Sequence, residues 1–225
     1  MQTKQKIRYA VDLGMTALLP LLMAYSLVGE TAHEWLGMVM LALFIGHHCL
    51  NCAWLKHLPR GRYSGFRILQ TVLAALILLT MLGTMVSGIA MSRHVLGFLH
   101  LRAGDWSQRV HLFCSYWGFL LMSLHLGLHG AMILAAFRRL THAESSKRRT
   151  ILLRCAAGAI SALGIAAFAK NRLTDYLLLR THFVMLDFDV TLAGFLLDYL
   201  CVMGLFICGG YYLRKLLQKE GRNTK

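Results

Sequence analysis

TAHEWLGMVMLALFIGHHCLNCAW (residues 31–54) and RVHLFCSYWGFLLMSLHLGLHG (residues 109–130) carry two histidine pairs of identical spacing. His33 and His47 lie in the first stretch, His111 and His125 in the second, and both pairs read His-x13-His. On a helix, fourteen residues turn through about 1,400°, only ~40° short of four rotations, and rise about 21 Å. The two imidazoles of each pair therefore share a face and lie near opposite sides of a bilayer's hydrocarbon core. Two such helices side by side present two facing histidine pairs, one above the other.

The surrounding composition makes both stretches membrane spans. The chain has 225 residues, 57% hydrophobic and 15% charged, with two prolines, and its mean hydropathy is +0.55. A soluble domain of this length could not hide so much apolar surface, and the apolar residues fall in runs long enough to cross a bilayer. Six spans are expected, at about 9–28, 33–55, 68–91, 110–136, 151–169 and 193–213. The first reads as an uncleaved helix, because its apolar stretch is too long for a signal peptide and lacks a small-residue cleavage site. The fold class is an all-α integral membrane bundle in a single domain, 1–225, with a four-helix ligand-binding core and additional helices.

The formal charge of +14 is explained by topology. Lys4, Lys6 and Arg8 precede the first span, and Lys56, Arg60, Arg62 and Arg67 join the second to the third. Arg138, Arg139, Lys147, Arg148, Arg149 and Arg154 surround the next loop on that side, and five more follow the last span, so 18 of the 24 Lys and Arg share one side. The positive-inside rule then places both termini in the cytoplasm. Anchoring at an anionic leaflet accounts for this charge, and nucleic acid is not an expected partner. The six cysteines all fall within expected spans, so no extracellular disulfide framework is encoded. Cys49 and Cys52 form a C-x-x-C, but Ala53 stands where covalent c-type haem attachment needs histidine.

The second and fourth spans run in the same direction, so His33 and His111 share an outer depth and His47 and His125 an inner one. Lone histidines on apolar helices usually serve packing or interhelical hydrogen bonds. Two at matched spacing on each of two parallel helices point instead to a site, since ionisable groups in hydrocarbon are costly. Zinc or copper wants three or four ligands at one depth. Two neutral imidazoles at each of two depths suit the axial positions of two haem b groups.

Other residues adjust this picture. Gly37, four residues after His33, and Gly118, midway between His111 and His125, would let a porphyrin approach the backbone; small-residue helix packing is the plainer account of both. His129 is four residues after His125, near the same face. It is a candidate to replace His125, to bond a propionate, or to belong to a quinone pocket. His48 points about 100° away from His47. Arg93 ends the third span at the outer level, placed either to pair with propionates or to anchor the interface. Asp198 sits unpaired in sequence within the last span and calls for a partner or a proton-handling role. Asp12 beside Arg8 reads as a structural ion pair. The fifth span, rich in Ala, Gly and Ser, reads as a close-packing helix.

The segments HEWLG…GHH, SGIAMSR, VHLFCSYWGFLLMSLHLGLH and FLLDYLCVMGLF together resemble the di-haem membrane cytochrome b superfamily. That group includes the cytochrome b subunits of formate dehydrogenase and nickel-iron hydrogenase, and the ferric reductase membrane domains. The nearest resemblance is to a small bacterial family long labelled a domain of unknown function and linked with flavin-based extracellular electron transfer. It covers about residues 8–215 and implies haem b at His33/His111 and His47/His125, in a bacterial cytoplasmic membrane. No G-x-G-x-x-G follows a strand-like run, so no flavin or nicotinamide domain is encoded, and the chain departs from the NADPH oxidase pattern.

The expected function is electron transfer across the membrane through two stacked haems, as an electron-transfer subunit rather than a self-sufficient enzyme. A membrane quinone or a cytoplasmic donor stands at one end and an extracytoplasmic redox protein, such as a flavoprotein, at the other; the reverse direction fits equally. The alternatives are a ferric or cupric reductase acting at the outer haem, and a transition-metal or proton transporter using its intramembrane histidines. The outer loop about 170–192, with Arg172, Arg180, Asp187 and Asp189, is placed to cover the outer site or dock a partner.

Overall fold

Each apolar run becomes a helix, because backbone in hydrocarbon has no water to bond and must satisfy its own N–H and C=O groups within the segment. The computed structural model describes residues 3–58, 60, 63–101, 103–141, 146–181, 183–184 and 190–223, apart from the side chains of 140 and 220–223. Arg62, Asp187 and Asp189 lie outside the described residues. The elements are α1 (Thr3–Met23), α2 (Tyr25–Val28), α3 (Glu30–His57), α4 (Gly65–Met91), a short 3-10 turn (Gly97–Leu99), α5 (Asp105–Thr141), α6 (Lys147–Lys170), α7 (Leu173–Leu177) and α8 (Leu192–Asn223). No strand occurs among the described residues.

The helices α3, α4, α5, α6 and α8 are long and apolar enough to cross a membrane. Their side chains mostly face outward: Leu79 is 64% exposed, Leu152 70% and Leu197 63%. In water so continuous an apolar surface would drive aggregation, whereas lipid covers it. The chain is a multi-pass membrane helical bundle.

Of the six expected spans, the first does not reach that apolar threshold. Lys4, Lys6, Arg8 and Asp12 dilute α1. It nevertheless lies antiparallel along α3, with Arg8 at the level of Leu50, Gly14 against Leu43 and Tyr25 beside His33. Its place in the bundle thus comes from packing on α3, while five helices among the described residues are long and apolar enough to cross a membrane. The chain leaves α1 at Ala24 and turns into α3 at Gly29, whose φ of 84° is a conformation that a Cβ would strain.

The central helix is α5, flanked by α4 and α8, with α6 on the far side of α8. Glycines bring the α5–α8 and α6–α8 pairs into backbone contact. A Cβ at Gly127 would collide with the Ile207 carbonyl, one at Gly210 with the Leu124 carbonyl, and one at Gly164 with the Cys201 carbonyl. This is small-residue packing of the membrane type. By contrast, α3 leans on α1 and does not pack closely on α5, which leaves a gap between the two histidine-bearing helices.

The outer loop folds back into the bundle. Leu173 and Tyr176 of α7 are buried. Tyr176 stacks on Tyr116 with centroids 4.3 Å apart, and the Trp117 indole N–H donates to the Leu177 carbonyl at 3.0 Å. Arg172 pairs with Asp175 at 2.8 Å, and Arg180 reaches the same carboxylate at 3.9 Å. Asp198, unpaired in sequence, accepts from Lys170 at 2.9 Å and from Asn171 at 3.1 Å, which fastens α8 to the end of α6. Replacing Gly127 with Val should cost about 3 kcal/mol, the upper end of overpacking penalties, and lower the thermal midpoint in detergent. Gly158→Val, at a position with nothing within 4 Å, should leave it unchanged.

Candidate functional site

The gap between α3 and α5 opens at the end remote from the basic loops, called outer below, as a cavity of about 640 Å³. Met and Leu side chains dominate its walls, among them Met40, Leu41, Met81, Met85 and Met122, and His33 and His111 face each other within it. Their ring centroids are 6.1 Å apart and the planes stand at 69°. Two imidazoles sharing one metal ion, each nitrogen about 2 Å from it, have ring centres about 6 Å apart. The observed separation is compatible with that arrangement.

The ring of His111 is aimed by α4. Its Nδ1 lies 3.0 Å from the Thr84 carbonyl and 3.2 Å from the Ser87 hydroxyl. A carbonyl only accepts, so Nδ1 carries the proton and Nε2 keeps its lone pair for a ligand. Ser87 is fully buried, and its hydroxyl also bonds back to the Gly83 carbonyl at 2.6 Å. Gly88 allows the approach, since a Cβ there would stand 3.2 Å from the His111 ring. The His33 Nδ1 is buried with no hydrogen-bond partner, and the Tyr25 ring meets His33 edge-on at 5.2 Å.

Gly37 and Gly118 both line the cavity, but differently. A Cβ at Gly37 would meet nothing within 4 Å, whereas one at Gly118 would touch Thr80 at 3.4 Å. Gly37 thus borders open space, and Gly118 serves the α4–α5 contact. The rim is tied by Glu34, whose carboxylate accepts from the Ser92 hydroxyl at 2.7 Å. It also accepts from the main-chain N–H of Arg93 at 2.8 Å, His94 at 3.0 Å and Val95 at 2.8 Å. Arg93 lines the cavity mouth, but its guanidinium is exposed and lies 3.8 Å from Glu30.

Nearer the basic end stand His47 and His125, within electrostatic range of one another and of Asp12 and His129. The Nδ1 of His47 lies 2.7 Å from the Asp12 carboxylate. This overturns the expectation of an Asp12–Arg8 pair: Arg8 donates instead to the Leu50 carbonyl at 2.5 Å. Residues four apart on α1 are neighbours, but α3 offers each a better-placed partner. His48 turns to its own helix, bonding the Phe44 carbonyl at 2.9 Å. The His125 Nδ1 is buried without a partner, and the His129 ring stands edge-on to His125 at 4.7 Å. Arg214 of α8 lies beside His129, its Nη1 donating to the Leu128 carbonyl at 2.8 Å and its buried Nε unpaired.

No family model, curated protein or solved structure matches the chain. What the site can do rests on its own geometry.

That geometry bears on a bare metal ion. Among the described residues, the ligand atoms of Asp12, His47, His125 and His129 do not form a group lying within 4.8 Å of one another; Glu30, Glu34 and His94 do. Glu34 is already occupied by four donors, so that rim group is a structural tie. The sequence reading missed Thr84, Ser87, Asp12, Glu34 and Arg214. The first three bond site histidines across helices, and no spacing rule within one helix shows that. Glu34→Ala should speed hydrogen exchange at the amides of residues 93–95 and destabilise the fold by about 2 kcal/mol, through unsatisfied donors.

Proposed function

We propose that this chain is a membrane cytochrome b that holds two haem b groups between paired histidines and carries electrons between the two membrane faces. The observation that carries the reading is the facing of His33 and His111 across an apolar cavity, with His111 held so that Nε2 is free. A haem bound there supplies a one-electron couple. His33 and His111 would ligate the outer haem, and His47 and His125 the inner one. Thr84 and Ser87 orient His111, and methionine and leucine side chains line much of the walls. Arg93 at the outer rim and Arg214 beside His129 supply positive charge for the carboxylates such a group carries.

The basic loop ends belong to the cytoplasmic face by the positive-inside rule, in a cell membrane that we infer to be bacterial. The inner end then meets quinone or a cytoplasmic donor, and the outer end an extracytoplasmic redox protein, such as a flavoprotein. A reductase acting on ferric or cupric chelates at the outer site draws on one observation: the outer cavity reaches the surface at Arg93, Asp105 and Gln108.

Purified protein should give a reduced α-band of b type and, by pyridine haemochrome, two haems per chain. Replacing His33 or His111 with Ala should remove mainly the outer haem, and His47 or His125 mainly the inner one. His48→Ala should leave both, since its ring points about 100° away from that of His47 around α3. One haem per chain, or loss through His48, would defeat the assignment.

In liposomes with an internal reductant and an impermeant acceptor outside, electrons should cross only when both haems are bound. Acceleration by a partner protein supports the conduit. Fast, partner-independent reduction of ferric chelate supports the reductase reading instead.

A further inference from the structure

The two histidine pairs differ in what stands behind them. At the outer site the His111 Nδ1 faces neutral acceptors, the Thr84 carbonyl and the Ser87 hydroxyl. At the inner site the His47 Nδ1 faces a carboxylate at 2.7 Å, delivered by Asp12 from α1. The Glu34 carboxylate is felt by His33 only electrostatically and is engaged by the 92–95 segment, and neither His33 nor His125 has a carboxylate bonded to its Nδ1. An ionised carboxylate is acceptor-only, so it fixes the proton on Nδ1 and leaves the lone pair of Nε2 to coordinate a metal. Hydrogen bonds to a charged acceptor are roughly twice as strong as neutral ones, and a carboxylate behind a ligating imidazole strengthens it as an electron donor. The cost of keeping a carboxylate on a helix that lies along a membrane span also calls for such a partner.

Resting on the di-haem reading, we propose that Asp12 is the positioning residue of the inner site: it selects His47 over His48, fixes its tautomer, and makes the inner axial ligand the stronger donor of the two sites. Stronger donation stabilises the oxidised iron, so Asp12 lowers the inner potential relative to a neutral partner. His48 lacks this backing because its Nδ1 is held by its own helix.

The test uses the full-length protein with Asp12→Asn and Asp12→Ala, followed by spectroelectrochemical titration and low-temperature electron paramagnetic resonance. The outer couple is assigned as the one lost in His111→Ala. Asp12→Asn should move the inner couple to higher potential and alter the inner low-spin signal, leaving the outer couple in place. Asp12→Ala should move it further or release the inner haem. If Asp12→Ala does not fold, Asp12→Asn decides alone. Two bound haems with an inner couple and signal identical to the unsubstituted protein would overturn the role of Asp12 while leaving the di-haem reading standing. An unsubstituted protein without haem would remove both.

Discussion

An imidazole inside a hydrocarbon layer has no water to turn to, so every ring nitrogen needs a partner from the protein or from something the protein binds. That constraint organises the bundle. His111 turns to α4 and finds Thr84 and Ser87; His47 turns to α1 and finds Asp12; His48 turns back on its own helix. The buried Nδ1 atoms of His33 and His125 remain without partners. The histidines lie on α3 and α5, yet α1 and α4 decide how they point.

The cavity exists because the helices are not packed evenly. Glycines press α5, α8 and α6 together until backbones touch, whereas α3 is held off α5 and supported by α1. A tight half and a loose half result. The loose half is kept open at its rim by the Glu34 carboxylate, which fixes the 92–95 segment through four donors. Over the tight half, α7 seals the outer end with Tyr176 stacked on Tyr116 and Leu177 bonded by Trp117. The charges of that loop, Arg172, Arg180 and Asp175, are largely spent on one another.

The two ends of the site are chemically unlike. The outer one is an apolar cavity with neutral hydrogen-bond acceptors behind one ring. The inner one gathers a carboxylate, three imidazoles and, beside His129, a guanidinium. Any group held at the two positions would therefore meet unlike surroundings.

Composition and periodicity alone determined that the chain is a helical membrane bundle, where five of its expected spans lie within a few residues, and which end is basic. Those properties follow from local arithmetic: run length against bilayer thickness, and charge against span order. The shared face of each histidine pair was legible for the same reason, because helical pitch is fixed. What only the tertiary structure decided are the contacts between helices. Asp12 sits four residues from Arg8 and looks paired with it, yet it bonds His47, 35 residues away. Asp198 looks unpaired, yet Lys170 and Asn171 reach it. The first helix, expected as a span, falls short of the apolar length of the other five, yet it lies along α3. A side chain's partner on another helix depends on rotation and depth together, and no pattern within a single helix encodes both.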